Sequence, residues 1–380
     1  MTPLEELIHA LVASRGPITF AEYQDLALYH PAHGYYSEAG RAGWRGDYLT
    51  SPELDAAFGE LWAGGLRQVW EACGAPESFP VVEIGPGEGG LAAGILGAAE
   101  GRWASALVLH LVEPSPALAR RQRARLAGER RCSWASSLAT LRPARAGCVI
   151  ANEVLDNLPV HIFTLAAGDI AELHVASRDG ALVLLSAPPS PAARAALRSG
   201  LWDPPSPGRD VAVSPGATRL TMAAAAWVLR GAVVFIDYGR EQRGPRPDVV
   251  CYSPTGTDDR PLERPGAKDI TVQVDWPATR LTLESAGATV AGPVRQRDVL
   301  RALGANAVEG RLRDAHDRAL AEGRGADAVR ALSRRSALAV LADPDGLGAL
   351  GVLTACKGIG LPGWTREAGH ASPPMSEAQP

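Results

Sequence analysis

The sequence predicts an α/β fold whose heart is a mostly parallel sheet, with a helical N-terminal extension and an added antiparallel and helical region. Three observations predict it. From Pro80 onward, short apolar runs of strand length alternate with helical patterns, the rhythm of βαβ units. The first of those runs ends in a glycine turn, Gly85-Pro86-Gly87-Glu88-Gly89-Gly90, that opens a helix. Between Val160 and Leu185 the rhythm changes to alternating runs around Ala167-Gly168 and Asp179-Gly180, as antiparallel hairpins require.

Taken in order, Leu4, Leu7, Ile8 and Leu11 recur at helical spacing, and Thr19 is placed to N-cap a second helix reaching Leu28. His30 to Asp47 is rich in turn residues. Pro52 to Cys73 reads as one long helix, from the spacing of Leu54, Phe58, Leu61, Trp62, Leu66, Val69 and Trp70. The sheet then builds from Pro80 to Ile84, Leu107 to Val112, Gly147 to Ala151 and Gly231 to Tyr238, with a closing strand from Gly351 to Cys356. Helices are expected over Gly89 to Ala99, Pro116 to Leu126, Thr218 to Arg230 and Ala278 to Ala286, and over most of Arg297 to Leu341. Ser186 to Gly208, with six prolines, and Arg240 to Pro265 read as loops. This divides the chain into an N-terminal helical cap (1–76), an α/β domain (77–292) with an insertion around 160–210, a C-terminal helical region with the closing strand (293–360), and a disordered tail (361–380).

Composition narrows the function classes. A formal net charge of -4 leaves no basic excess for a nucleic-acid surface. Five scattered cysteines form no CxxC pair, which reads as a reduced, cytoplasmic protein without a disulfide frame or zinc set. The first fifteen residues carry Glu5 and Glu6 and match neither a secretory signal nor a transit peptide. No apolar run is long enough to span a bilayer. His30 and His33 flank Pro31 and have no third partner in the sequence, so a turn role is expected and no metal. Phe58, Trp62 and Trp70 read as core, and the Arg120 to Arg125 face as solvated.

The glycine turn carries the chemistry. Gly85 and Gly87 let the backbone approach a ligand, and the helix behind them offers unpaired N–H groups. Glu113 ends the next strand, where a carboxylate can accept two ribose hydroxyls, so the arrangement is Rossmann-like. Gly85, Gly87 and Gly90 also satisfy GxGxxG, which keeps an NAD-dependent oxidoreductase open. Against it, Glu83 would crowd a pyrophosphate, whereas it suits the cationic amino-acid end of S-adenosylmethionine, and Pro86 stiffens the turn. A tight turn without any ligand is the plainest alternative.

Several ordered segments resemble the MidA family of class I methyltransferases, the group related to the mitochondrial arginine methyltransferase that assists complex I assembly. These are His30-Pro31-Ala32-His33-Gly34-Tyr35-Tyr36, Gly46-Asp47-Tyr48-Leu49-Thr50-Ser51-Pro52-Glu53, Phe58-Gly59-Glu60, Glu83 to Gly87, Asn152-Glu153-Val154-Leu155-Asp156-Asn157-Leu158-Pro159-Val160, Ile236-Asp237-Tyr238-Gly239, and Pro265 to Thr271 with Val274-Asp275-Trp276. The resemblance spans most of residues 17 to 305. It implies S-adenosyl-L-methionine as cofactor and a protein side chain as acceptor, arginine in that family, with a complex I subunit as a possible partner. The chain departs from the family's pattern at Glu88, where a basic residue is usual, at Gly90, where Thr is, and at Val154, Asn157 and 254–259.

On that reading Glu83, Gly85, Gly87, Glu113 and Asn152 are candidate cofactor contacts, with Ser136 in the loop expected to face adenine. Asn152 can instead orient the acceptor. Glu153 and Asp156 are the candidate catalytic carboxylates, able to align a guanidinium and help it shed a proton. Their plainer reading makes Asp156 a helix cap and Glu153 a solvated neighbour. Asp47, Thr50, Ser51 and Glu53 are candidates for a lid over the donor, made mobile by Gly40, Gly43 and Gly46, although Thr50 or Ser51 can simply cap the next helix. A non-catalytic assembly factor that keeps the fold and ligand is the remaining reading from another class.

Overall fold

A computed structural model describes residues 2–37, 50–241 and 249–365. Its centre is a seven-stranded sheet of Phe79–Ile84 (β1), Leu107–Val112 (β2), Cys132–Ala135 (β3), Gly147–Asn152 (β4), Gly231–Asp237 (β5), Thr289–Arg295 (β6) and Gly351–Lys357 (β7), in the order β6-β7-β5-β4-β1-β2-β3. β1 to β5 run parallel, and β7 alone is antiparallel to both of its neighbours. The expected α/β class is borne out.

The strands are apolar on both faces because both faces are covered. In β4, Cys148 and Ile150 join the cluster that contains Phe58, Trp62 and Leu91, while Val149 and Ala151 join the one that contains Trp227 and Leu283. The first cluster is closed by the helices Ala56–Ala72 and Gly90–Ala98, which touch at Gly59 and Gly94. A Cβ on Gly59 would lie 2.6 Å from the Gly94 Cα, so glycine sets this close approach.

The long helix expected over Pro52 to Cys73 is two helices, Ser51–Leu54 and Ala56–Ala72. Asp55 between them is extended, and its carboxylate caps the second helix at Ala57 N while receiving Arg334. The capping bonds outweigh the continuous apolar spacing. β3 and β6 were not visible as strands in the sequence. β3 is short and half-exposed, and β6 is bulged between Ala291 and Val294, where Gly292 and Pro293 mimic a turn. The two expected loops contain structure as well: a helix at Pro191–Leu197 and strands at Val249–Ser253 and Gly256–Asp258.

A second, antiparallel sheet holds the hairpins expected after Val160. His161–Ala166, Asp169–Arg178, Ala181–Ala187 and Val211–Val213 are joined by the short Ile18–Thr19 strand. The helices Pro3–Arg15 and Phe20–Tyr29 cover it, burying Leu4, Ile8, Phe20 and Tyr23 against Ile162, Val175 and Ile270. Residues 2–37 therefore pack on the second sheet, while the Ala56–Ala72 helix packs on the first. Buried Gln24 stitches the join by receiving Val160 N at 3.0 Å and donating to Ile270 O at 3.1 Å.

The segment expected to be a disordered tail is packed at its start. Trp364 is 2% exposed and meets Trp62 edge-on at 5.4 Å, and the remainder, 366–380, lies outside the described residues.

Candidate functional site

The parallel strands end in register: Ile84 faces Val112 and Ala151, and Ile236 faces Asn152. The sheet order reverses between β1 and β4, so their carboxyl ends frame the crevice where open α/β sheets bind ligands. Around the glycine turn, Gly85, Gly87 and Gly89 all take positive φ. A Cβ on Gly87 would meet nothing within 4 Å, leaving open space above that backbone. Glu83 is 3% exposed and its Oε2 has no partner among the described residues. Burial pushes its pKa up to about 8, the Glu53 carboxylate adds to the rise, and a hydrogen bond from Ala92 N opposes it. The Arg125 guanidinium opposes the rise more weakly.

Glu113 sits beside the turn, its Oε1 accepting from Ser115 N at 2.7 Å and its Oε2 from Gln122 at 3.2 Å. Burial raises its pKa and these two bonds oppose the rise. Each oxygen keeps a lone pair for a hydroxyl. Gln122 also donates to Gly87 O at 2.8 Å and accepts from Trp134 Nε1 at 3.1 Å, tying the turn to the carboxylate. Ser136 follows β3 and is exposed, next to Ala135, whose carbonyl accepts from Glu113 N. The Pro116–Arg125 helix, whose arginine face was expected to be merely solvated, is a wall of the site: Arg121 pairs with Glu88 at 2.7 Å and Arg125 with Glu53 at 2.6 Å. The unusual Glu88 thus has a counter-charge. The unusual Gly90 leaves room for Pro52 and Glu53, since a Cβ there would lie 2.3 Å from Pro52 O.

Beyond β4 lies an acidic cluster. Glu153, in a positive-φ turn, accepts from Asn152 Nδ2 at 2.8 Å and from Ser51 N at 3.3 Å. Asp237, at the end of β5, accepts from Val154 N, Leu155 N and Tyr238 N. Asp156 stands beside Asp237, and its Oδ1 has no partner among the described residues. Asp269 adjoins them, accepting from Tyr36 OH at 2.9 Å and Asn157 Nδ2 at 2.8 Å. Burial drives the pKa of Glu153 to about 8 and that of Asp237 to about 7. Asp156 is raised well above its ordinary value, by burial first and then by Asp237, Asp269 and Glu153. Neither plain reading fits: Glu153 is not solvated, and Asp156 is buried among acids rather than placed at a helix N-terminus.

Of the proposed lid, Thr50 makes no capping bond with its side chain, and the buried Ser51 hydroxyl is held by Gln296 Nε2 at 3.0 Å. The Ser51 side chain thus turns toward the C-terminal region, and only its backbone reaches Glu153. Gly40, Gly43, Gly46 and Asp47 lie outside the described residues. His30 and His33 stack in a turn, with His30 Nδ1 receiving Ala32 N and His33 N. Sequence reasoning gave no role to Gln122, Arg125, Asp237 or Asp269. Asp237 and Asp269 lay within quoted motifs, and a carboxylate directly after a buried strand was the signal that could have found Asp237.

Residues 62–294 match a family described as "Putative S-adenosyl-L-methionine-dependent methyltransferase". The protein arginine methyltransferase NDUFAF7 homolog, mitochondrial, of Drosophila melanogaster is 30% identical over 77% of this chain and 73% of its own length. The Mus musculus protein arginine methyltransferase NDUFAF7, mitochondrial, is 30% identical over 80% of this chain and 74% of its own. A crystal structure from Burkholderia thailandensis bound to S-adenosyl-homocysteine superposes with a TM-score of 0.77 at 29% identity, covering 94% of this chain and 92% of that one. The two arginine methyltransferases are mitochondrial, which overturns the cytoplasmic expectation drawn from the N-terminus and the cysteines.

Proposed function

This chain belongs to the S-adenosyl-L-methionine-dependent methyltransferase family, and from that premise we propose that it methylates the guanidinium of a protein arginine. It is an enzyme, and S-adenosylmethionine is its cofactor, so the nicotinamide and non-catalytic readings give way. The single observation that carries the acceptor is the acidic cluster. Asp156 and Asp237 are buried side by side with the half-buried Glu153 next to them, and none is ion-paired with a described residue. Buried carboxylates without counter-ions are costly unless a cation completes them. A guanidinium does so best, because its planar fork of N–H donors matches paired carboxylates. The arginine methyltransferases among the relatives support the same acceptor.

The donor side fits S-adenosylmethionine on its own residues. The open space above the Gly87 backbone suits the amino-acid end, the unpartnered Glu83 oxygen suits its ammonium, and Glu113 suits a ribose diol. Asn152, whose Oδ1 lacks a partner among the described residues, donates to Glu153, and Ser136, exposed just after β3, suits an adenine contact. When bound, the cofactor supplies an electrophilic methyl group for in-line transfer.

The chain's own residues align the nucleophile and move one proton. Glu153 and Asp156 hold two guanidinium nitrogens through charge-assisted hydrogen bonds, which fixes the plane and aims the third nitrogen at the methyl. As that nitrogen takes the methyl, whose bond to the cofactor's sulfur would break and leave a neutral thioether, it becomes more acidic, and a carboxylate of the cluster takes its proton. The raised pKa values suit this task, since a stronger acid would be a poorer base near neutral pH. The test is a mass-spectrometric comparison of methylarginine peptides in cells with and without the protein, beginning with complex I subunits. Peptides lost on deletion and restored by the parent chain but not by Asp156→Asn are expected. An unchanged methylarginine set alongside another lost methylation removes the arginine reading.

A further inference from the structure

The short Ser51–Leu54 helix touches both halves of the site at once. On one side, Glu53 Oε1 accepts from Gly90 N at 2.9 Å, the first residue of the helix behind the glycine turn. Glu53 Oε2 meets Arg125 at 2.6 Å, and Arg125 in turn donates to Glu88 O at 3.3 Å, within that turn. On the other side, two residues earlier, Ser51 N donates to Glu153 Oε1. The missing Cβ of Gly90 is what allows the contact, because a side chain there would strike Pro52 O and Glu53 Oε1. A short helical link, residues 51–53, thus joins the backbone proposed to seat the donor to a carboxylate proposed to seat the acceptor.

We propose that Glu53 is a positioning residue: it clamps the glycine turn and, through Ser51, ties the turn's geometry to the orientation of Glu153. Donor binding and acceptor alignment are then energetically coupled. The coupling needs no long pathway, since both attachments lie on one turn of helix. The inference rests on the reading that the donor lies at the glycine turn.

Calorimetric titration of the full chain with S-adenosylhomocysteine, beside melting of the unliganded protein, tests it. Glu53→Ala is expected to weaken binding about tenfold, the scale of one charge-assisted hydrogen bond. Glu53→Gln, whose amide oxygen still accepts from Gly90 N, is expected to recover most of that loss. Glu153→Ala removes the acceptor of Ser51 N–H and is expected to weaken the same binding about threefold. In the double variant the losses should overlap, leaving affinity within about twofold of the weaker single variant. Losses that multiply overturn the link, as does a Glu53→Ala protein that melts lower yet binds as tightly as the parent. Should Glu53→Ala not fold, Arg125→Gln removes the Arg125 side of the clamp while Glu53 still accepts from Gly90 N, and it should weaken binding by less than about tenfold; unchanged affinity there also overturns the proposal. Glu113→Ala runs in parallel. If it too binds like the parent, the donor reading has failed; if it weakens binding while the Glu53 variants do not, only this inference has.

Discussion

The two halves of the site treat buried carboxylates in opposite ways. At the glycine turn the acids are mostly answered from within the chain: Glu88 by Arg121, Glu53 by Arg125, and Glu113 by Gln122 and the backbone of Ser115. Beyond β4, Glu153, Asp156 and Asp237 receive hydrogen bonds or one another but no ion pair from a described residue. In the second, burial raises the pKa of all three acids, which on the proposed reading a guanidinium would answer. What separates the halves is the ion pairs at Glu88 and Glu53, which have no counterpart at Glu153, Asp156 or Asp237 among the described residues, while Glu83 in the first half is left with an unpartnered oxygen.

Breaking the acidic half should have the largest effect. Asp156→Asn is expected to lower methyl transfer by about a hundredfold or more while S-adenosylhomocysteine binding changes little, since a proton-transfer and alignment group acts mainly in the transition state. Equal losses in both measurements would move Asp156 to the donor side and erase the contrast. Breaking the compensated half comes next. Glu113→Ala removes charge-assisted hydrogen bonds of about 1.5–3 kcal/mol, a loss of roughly ten- to a hundredfold in affinity for the same ligand by calorimetry.

The contrast also has a signature in pH. Glu153 and Asp237 carry folded pKa values raised to about 8 and about 7, so the folded state binds their protons more tightly than the unfolded one. Their contribution is favourable below the ordinary carboxylate range and is lost as pH climbs toward 8. Glu153→Gln keeps the hydrogen-bonding shape without the titration. It should gain stability over the parent by on the order of 1 kcal/mol at pH 8 and much less at pH 5, read as paired melting curves. A gain independent of pH would mean that Glu153 is already charged in the empty protein. The smallest effect is expected at Gly87, where the protein itself leaves space for a methyl group. Gly87→Ala should cost about 1 kcal/mol for its positive φ. A much larger loss of S-adenosylhomocysteine affinity than of stability would place ligand against that backbone.

The donor half was largely legible in the sequence. The glycine turn, Glu83 and Glu113 each lie at the end of a buried strand within one βαβ stretch, so local order in the chain already puts them at neighbouring strand ends. The central strands were legible for the same reason, since apolar runs of strand length leave few alternatives. The acidic half was only begun, with Glu153 and Asp156. Asp237, Asp269 and Tyr36 come from distant segments, and no local pattern says that they meet. The wall formed by Arg121 and Arg125 was hidden too, because an arginine face looks the same in sequence whether it meets water or two glutamates. The same holds for Asp55, where a cap overrode helical spacing, and for Trp364, which a tail-like composition concealed from the Trp62 core. The sequence by itself determined the features that periodicity and short-range backbone geometry dictate: the sheet, its turn and the carboxylates at its strand ends. Tertiary structure alone decided which charges are paired and which are left waiting, because pairing depends on distances between residues far apart in the chain.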